Sequence, residues 1–455
     1  MERKSPKQVW RGARGTWDCR REHEPQILLV AGPSPAGHYL PKGETMEQIH
    51  DRVAGLDVHR DTVVACVRQP GPRGGTVTDK ARFKTTRLGL VDLERFLAER
   101  AVALVAMEAT GVYWKAVYYA LEERFECWLC NAHHVKNVPG RKTDLSDSEW
   151  LADVAAHGMV RPSFVPSRPI RELRELTRYR KREIDIRGAE IARLEKVLQD
   201  AGVKLTSVAS KVLTQSGRAM IEALIEGERD SATLAQLAKG KLRPRIAELE
   251  EALDGHFGPH HAIAARQILD HVDFLDQTIA TLSEQIDQRT AAYQPVMELL
   301  TPVPGFDRRT IDVVIAETGA DMSRFPTPEH LSSWAGLSPG NHESAGKRRR
   351  VATTAGNPWL SRALIEAARA AVRVKGSYFG AQYRQIARRR GPNKAAVAVA
   401  HSLLCLVWHL LTTGVRFEDL GSDYFERRHD PDREAARLVR QLEALGHRVT
   451  FTPAS

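Results

Sequence analysis

The chain has 455 residues, with 67 Lys and Arg against 57 Asp and Glu, a net charge of +10 and a pI near 9.4. This length suits about three domains, and this charge favours a polyanionic partner such as nucleic acid. Five scattered cysteines exclude a disulfide framework and indicate a reducing cytoplasm. The first apolar run is short and follows a charged stretch, so we expect no secretory signal.

Residues 1–45 show neither helical nor strand periodicity and contain scattered Pro, Gly and Arg. A second methionine, Met46, follows them just before the first periodic segment. We therefore predict that 1–45 is a flexible basic extension or a mis-called start, and that folding begins at residue 46.

Residues 46–165 predict an α/β domain. The hydrophobic pattern indicates strands at 52–58, 62–67, 77–85, 103–109 and 126–130, helices at 87–100 and 111–124, and a last helix that contains Asp144. The resulting order, βββαβαβα, is that of the RNase H-like (RuvC-like) fold, a mixed sheet in which antiparallel strands are followed by parallel ones.

Four acids fall where this fold brings residues to one edge of its sheet. Asp57 lies in the first strand, Glu108 ends the fourth, and Asp144 and Asp147 lie three apart at the last helix. Acids at a helix start also complement the helix dipole. An acid inside an apolar strand, however, is costly to bury without a cation or a hydrogen-bond partner. We therefore predict that the four carboxylates bind Mg²⁺, which prefers oxygen ligands and also coordinates phosphate.

Residues 166–295 predict a long helical coiled-coil region. Apolar residues recur at alternating steps of four and three in the later of two long helices, and a matching stripe runs along the earlier one. The two sets are Ile268, Val272, Leu275, Ile279, Leu282 and Ile286, and Ile184, Ile191, Leu194 and Leu198. We expect an antiparallel hairpin or pairing with a second subunit, and no chemistry.

Residues 296–415 predict a mainly helical C-terminal domain, followed by a polar tail over 416–455. The domain opens on a Pro-Gly turn before a periodic helix, which fits either a phosphate-binding helix-hairpin-helix element or an ordinary helix start. The apolar segment 395–415 is near the minimum length of a membrane span, about 18 residues. Because it is solitary and has Arg on both flanks, a buried core helix is the better interpretation.

A second candidate site surrounds Ser344. Small residues follow this serine, and then come four consecutive cations, Lys347, Arg348, Arg349 and Arg350, which suit the phosphates of a DNA backbone. From these residues alone, phosphate binding is favoured over a serine nucleophile.

Two further groups of metal-capable residues are weaker candidates. Cys127 and Cys130 look like half of a zinc site, but strand alternation places them on opposite faces, and the chain has no second pair at that spacing. The histidines in "HFGPHH", residues 256–261, have no acid or thiolate beside them, so we predict a solvated loop there.

Several motifs together resemble a known family. They are "GLDVHRDT", "MEATGVYW", "KTDLSDSEWLADV", "PVPGFDRRTIDVVIAETG", "WAGLSPG", "ESAGKRRR" and "AGNPWLSRALIEAA". Their types and order over about 46–415 are similar to those of the DEDD transposases of bacterial insertion sequences, the insertion-sequence one-ten family. Residues 1–45 lie outside this resemblance.

The resemblance implies a DNA recombinase in the bacterial cytoplasm, associated with the nucleoid and not with a membrane. Its four acids correspond to Asp57, Glu108, Asp144 and Asp147, and its catalytic serine corresponds to Ser344, with Ser338 as the fallback because the pattern here is Ser-Ala-Gly instead of Ser-Gly. It also implies Mg²⁺, a serine–phosphate intermediate, donor and target DNA, a structured bridge RNA as guide, and a homo-oligomer, dimer or tetramer, whose active sites combine domains of different subunits.

Two other functions remain open from the sequence. A RuvC-like Holliday-junction nuclease needs the same acids but uses metal-activated water in place of a serine. A non-catalytic nucleic-acid scaffold is disfavoured, because carboxylates that face phosphate weaken binding.

Overall fold

The computed structural model describes residues 48–450 except 73–74, 139–145, 341–342, 345–346, 349–352, 354–355 and 428–430. For 133, 343–344, 347–348, 426–427 and 431–434 it describes the backbone only. The predicted extension 1–45 therefore lies outside the described residues. The chain divides after Val165 into two compact units, while the predicted divisions near 295 and 415 remain predictions.

The first unit is built on a five-stranded mixed sheet. Its strands are β1 (Val53–Val58), β2 (Thr62–Pro70), β3 (Thr76–Lys84), β4 (Leu104–Glu108) and β5 (Glu126–Cys130), in the order β3-β2-β1-β4-β5. The first three strands pair antiparallel, whereas β4 lies parallel to both β1 and β5. The five predicted strands are confirmed with shifts of a few residues at their ends.

Helices cover both faces of this sheet. Helices α1 (Arg87–Glu99) and α2 (Trp114–Leu121) pack on the face of Ala54, Leu56 and Met107. Helices α3 (Ala132–Lys136) and α4 (Asp147–Ala156) pack on the face of Val53, Leu104 and Ala106. Because β1 and β4 are covered on both sides, their sequences are continuous apolar runs. An acid within such a run therefore requires an explanation.

The second unit contains two long antiparallel helices, α5 (Arg168–Asp200) and α10 (Pro259–Thr290). Their direction follows from two contacts: Asp200 meets His261, and Arg187 pairs with Asp276 at 2.5 Å. The predicted seam is buried at Ile268, Val272, Leu275, Ile279, Ile286, Leu194 and Leu198, and partly exposed at Leu282, Ile184 and Ile191. The chain therefore supplies the antiparallel hairpin itself.

Shorter helices connect the two long ones and pack on the same core. They are α6 (Leu205–Val208), α7 (Gln215–Glu226), α8 (Ser231–Gln236), a 3₁₀ turn (Gly240–Arg245) and α9 (Ile246–Leu253).

The rest of the second unit is almost wholly helical. After a 3₁₀ turn (Ala291–Tyr293) come α11 (Gln294–Leu300), α12 (Arg308–Thr318), a 3₁₀ turn (Met322–Arg324), α13 (Pro328–Ala335), β6 (Glu343–Ser344), β7 (Lys347–Arg348), α14 (Pro358–Ala371), α15 (Tyr378–Arg390), α16 (Pro392–Thr413), α17 (Tyr424–Arg427) and α18 (Pro431–Ala444). The predicted Pro-Gly turn joins α11 to α12. Its Gly305 has φ +83°, and an added Cβ there would lie 2.2 Å from the Ala367 carbonyl oxygen, so this turn packs against α14.

Helix α16 is the apolar segment that resembled a membrane span. Within the described part of the chain it is the one helix long and apolar enough to cross a membrane. It packs against α11, α13, α14 and α15 and buries Leu403, Leu404 and Cys405 completely. The structure therefore agrees with the predicted core helix.

Buried charges join α5 to α12. The Glu317 side chain is 0% exposed and accepts hydrogen bonds from Arg178 Nε and Nη2 at 2.8 and 2.7 Å and from Asn357 Nδ2 at 2.6 Å. Asp312, also 0% exposed, accepts from Arg180 at 3.0 Å and Arg308 at 3.1 Å. Removing one partner of such a pair costs about 3–5 kcal/mol because the other charge is left buried, so these contacts hold the two helices together.

Candidate active site

Asp57 and Glu108 lie at the ends of neighbouring parallel strands. The β1–β4 register pairs Leu56 with Met107, so the next position along each strand is an acid. By strand alternation both acids share the face of Val53 and Leu104, which α4 covers. Both are half-exposed, and the Asp57 side chain is 31% exposed, whereas the residues before them are buried. The sequence prediction that these two acids meet at one sheet edge is consistent with this register.

Gly55 brings the start of α4 to the same edge. A Cβ added at Gly55 would lie 2.0 Å from the Ser148 carbonyl oxygen and 2.5 Å from the Ala152 backbone nitrogen. Only glycine permits this approach of helix to strand. Gly55 lies two residues before Asp57 on the same face, so the first turn of α4 lies beside that acid.

Two ion pairs fix the direction of α4. Glu149 accepts from Lys80 Nζ at 2.6 Å, and Asp153 pairs with Arg68 at 3.2 Å. Lys80 lies across the sheet at the level of Gly55, and Arg68 pairs with Val53. From Glu149 to Asp153, α4 therefore runs from the level of Gly55 toward Val53, antiparallel to β1. Its first residue, the exposed Asp147, therefore lies at the end of the sheet where β1 reaches Asp57.

We expect Gly55→Ala to lower the melting temperature and to weaken any activity that depends on Asp147. The new Cβ would meet backbone atoms, so α4 must shift as a body, and overpacking of this kind costs about 1–3 kcal/mol or more. The matched control is Gly188→Ala on α5, where a Cβ meets nothing within 4 Å and alanine favours the helix by up to about 1 kcal/mol. Thermal unfolding followed by circular dichroism measures both variants. Equal melting of Gly55→Ala and the wild type would contradict this account of α4.

His59 is a site residue that the sequence prediction missed. Its Nε2 lies 3.1 Å from Asp57 Oδ2, and it is the second residue after Asp57. The signal was available, since period-two alternation carries both side chains to one face at the strand end. A histidine here holds one oxygen of the Asp57 carboxylate and limits its rotation.

Asp144 lies outside the described residues, and its place in the cluster stays a prediction. The structure therefore positions three of the four predicted acids, Asp57, Glu108 and Asp147, at one edge and on one face of the sheet.

Asp57, Glu108 and Asp147 offer the type of ligand atom that Mg²⁺ prefers. Mg²⁺ prefers oxygen ligands and is usually held by one or two carboxylates, with water and phosphate oxygens completing its shell. Over the described ranges, the only three His, Cys, Asp or Glu ligands within 4.8 Å of one another are Asp200, His260 and His261. The carboxylate oxygens of Asp57, Glu108 and Asp147 therefore do not all lie within 4.8 Å of one another.

Ser344 lies in a short hairpin of the second unit. Strands β6 and β7 are antiparallel, with Ser344 paired to Lys347, and a bridge between Pro339 and Thr353 closes the base. The side chains of Ser344, Lys347 and Arg348 are not described, and Arg349 and Arg350 lie outside the described residues. The fallback serine, Ser338, is half-buried just before the hairpin. The structure shows the hairpin but not the chemistry of either serine.

The first of the two weaker metal candidates, Cys127 with Cys130, consists of core residues. Cys127 packs in the core under α1 and α2, whereas Cys130 packs under α4, so the two thiols point to opposite faces as alternation predicts. Burial raises the pKa of each thiol to about 12, which disfavours the thiolate that zinc needs.

The predicted solvated loop at 256–261 is wrong for 259–261, while 256–258 lies outside any helix and His256 is exposed. Pro259 starts α10, because proline is well suited to the first position of a helix. His261 is buried, accepts a hydrogen bond from the Gly258 backbone N–H at 3.0 Å, and lies 3.1 Å from Asp200. Asp200 is the acid beside His261. The local sequence could not indicate this contact, because Asp200 lies far from His261 along the chain.

Two family models match separate parts of the chain. A family model described as Transposase, of the DEDD type and of insertion sequence IS110, matches residues 54–202. A second model, described as Transposase IS116/IS110/IS902 family, matches residues 297–384. The first range contains the four acids, and the second contains both candidate serines.

Two relatives are similar to this chain over different lengths. The transposase for insertion sequence element IS1111A of Coxiella burnetii is 25% identical over 370 residues, which cover 79% of this chain and 90% of the relative. The insertion element IS110 uncharacterized 43.6 kDa protein of Streptomyces coelicolor is 30% identical over 138 residues, 30% of this chain and 34% of the relative.

Proposed function

Because this chain belongs to the IS110 family of transposases, we propose that it cleaves and rejoins DNA with a Mg²⁺-binding site of four acids and a serine nucleophile. Transposition of DNA follows from the family membership. The acids are Asp57, Glu108, Asp144 and Asp147, and the serine is Ser344.

The register of β1 and β4 carries this proposal. Leu56 pairs with Met107, so that Asp57 and Glu108 follow at the ends of neighbouring parallel strands, and α4 begins at Asp147, toward the same edge. The strand order β3-β2-β1-β4-β5 also supports an RNase H-like, RuvC-like fold for the first unit. Together these features supply carboxylates at a surface that a DNA strand can reach.

The residues of the first unit bind and orient. Asp57, Glu108, Asp144 and Asp147 would hold Mg²⁺, which when bound offsets negative charge on the phosphate that reacts. His59 keeps the Asp57 carboxylate oriented through its contact at 3.1 Å. Gly55 and the ion pairs of α4 keep Asp147 at the same edge.

Ser344 would carry out the exchange of strands. Its hydroxyl attacks a DNA phosphate, so that an Oγ–P bond forms, a P–O bond to the DNA breaks, and the departing DNA oxygen takes up a proton. A hydroxyl of the new strand then reverses the step and frees the serine, so no outside energy source is consumed. Lys347, Arg348, Arg349 and Arg350 follow the serine and would bind phosphates of the strand.

The net charge of +10 supports a nucleic-acid partner. We include donor DNA, target DNA and a structured guide RNA among the proposed partners, and a homo-oligomer, dimer or tetramer, as the active form. The protein would act in the compartment that contains the DNA of the cell.

Removing divalent metal is expected to stop strand cleavage and to leave DNA binding in place. Purified protein, with transcribed guide RNA and DNA that carries the element ends, is treated with EDTA and then given excess Mg²⁺. We expect cleavage to disappear and return, while an electrophoretic mobility shift persists throughout. An undiminished cleavage rate in EDTA would remove the metal-binding role from the acids.

A further inference from the structure

A cavity of about 290 Å³ opens between α5, α12 and α14 in the second unit. Its wall includes Arg178 and Lys181 from α5, Arg309 from α12, and Trp359 and Arg362 from α14. None of these residues is assigned to cleavage. Ligand pockets for small molecules have volumes of about 300–1,000 Å³, so the cavity has room for one small ligand.

The lining of the cavity is positively charged. It has five cations, Arg178, Arg180, Lys181, Arg309 and Arg362, against three acids, Asp307, Glu317 and Glu366. The inner cations are already used, since Arg178 and Arg180 pair with buried acids and Lys181 contacts Asp185 at 2.9 Å and Glu366 at 3.4 Å. The acids are likewise engaged, since the Asp307 carboxylate caps α12 through the Thr310 N–H at 2.8 Å.

Arg309 and Arg362 are the available charges. Both are exposed at the cavity, and neither has a hydrogen-bond or ion-pair partner among the residues that the structure describes. Both guanidinium groups line the same cavity, and arginine binds phosphate with paired N–H donors.

Trp359 adds a flat aromatic surface to the same cavity. It is half-buried, and the guanidinium carbons of Arg178 and Arg182 lie 5.6 and 5.5 Å from its ring centroid. Proteins that bind single strands combine aromatic rings, on which bases stack, with arginines that bind the backbone. The cavity has both features.

We propose that this cavity binds one unpaired nucleotide of a nucleic-acid strand, with its phosphate on Arg309 and Arg362 and its base on Trp359. A paired base is stacked inside its duplex and is not accessible to such a cavity. The site goes beyond the proposed catalytic function and depends on neither Ser344 nor the metal.

Trp359 of the cavity lies shortly after the connection that returns from the Ser344 hairpin. Asn357 ends the connection that returns from the Ser344 hairpin, caps α14 through the Trp359 and Leu360 N–H groups, and donates to Glu317 in the cavity wall. Trp359 is therefore two residues from the point where this connection enters α14. A nucleotide bound there would lie near Asn357, the residue at which this connection ends.

The test measures binding of uncut, fluorescein-labelled 12-nucleotide strands to the full chain without Mg²⁺, by anisotropy over a range of salt concentrations. Oligo-dT and oligo-U form the DNA and RNA arms, and a 12-base-pair duplex is the comparison. Arg309→Gln with Arg362→Gln should weaken single-strand binding at least tenfold and lower the salt slope by about 0.7–1. Trp359→Leu should weaken it about tenfold with an unchanged slope, and Trp359→Phe should retain binding.

The control is Arg369→Gln with Arg373→Gln, which removes the same charge from two exposed residues near the end of α14 that do not line the cavity. We expect it to change affinity less than threefold. Loss in only the DNA arm or only the RNA arm identifies the strand that supplies the nucleotide. Equal effects of the cavity pair and the control pair, or unchanged binding by Trp359→Leu, would overturn the proposal. Because no cleavage is scored, neither result bears on the catalytic assignment.

Discussion

Replacing Asp57 by Asn is expected to reduce strand cleavage by more than about 100-fold and to leave DNA binding unchanged or tighter. Loss of a residue that only supports a metal ligand typically costs about 10–100-fold, and Asp57 is proposed as a ligand itself. The amide has nearly the shape of the carboxylate and still offers an oxygen to His59, which lies 3.1 Å away, so the fold should persist. Loss of a negative charge near phosphate favours binding.

Asp61→Asn is the matched control for this variant. Asp61 lies at the other end of the same turn, its side chain is 84% exposed, and its ion pair is with its neighbour Arg60 at 3.6 Å. Single-turnover cleavage in Mg²⁺ and mobility-shift titration are measured for both variants. Full cleavage by Asp57→Asn, or an equal loss in Asp61→Asn, would contradict the assignment of Asp57 to the metal site.

Ser344→Ala should abolish both cleavage and the covalent protein–DNA adduct that a serine nucleophile leaves. Attack by Ser344 joins the protein to one DNA strand, so the wild type should give a species that survives denaturing electrophoresis. Alanine removes the only atom that can form this bond. The DNA should still bind, because the substitution changes no charge.

Ser338→Ala is the control that separates the two serines. If this variant loses the adduct while Ser344→Ala keeps it, Ser338 is the nucleophile. If the wild type forms no adduct and both variants cut DNA, the attacking group is water. That outcome favours a RuvC-like junction nuclease, in which the four acids act without a serine.

Strand positions were predictable from the sequence because they depend on local pattern. Continuous apolar runs around Leu56 and Met107 predicted central strands, and the structure confirms both. Placing Asp57 beside Glu108 needed one further rule, that parallel strands of this order end at a common edge. The shared edge was predictable to that extent, whereas the roles of the four acids and of Ser344 remain predictions.

Contacts between distant parts of the chain were not predictable. Arg174 and Arg178 lie in a stretch of α5 that has the composition of a solvated charged face, yet both contact the completely buried Glu317. Nothing within either segment identifies the other as its partner. The same reason explains the error at His261, whose partner Asp200 lies 61 residues earlier.

The ion pairs between α5 and α12 can form only after both helices have been synthesised. Arg178 and Glu317 are 139 residues apart, so α5 emerges from the ribosome before the helix that neutralises it. At about 5–20 residues per second this interval lasts roughly 7 to 28 seconds. Until then Arg174, Arg178 and Arg180 lack the acids that they contact in the folded chain. Synthesis therefore separates the two halves of these buried ion pairs in time.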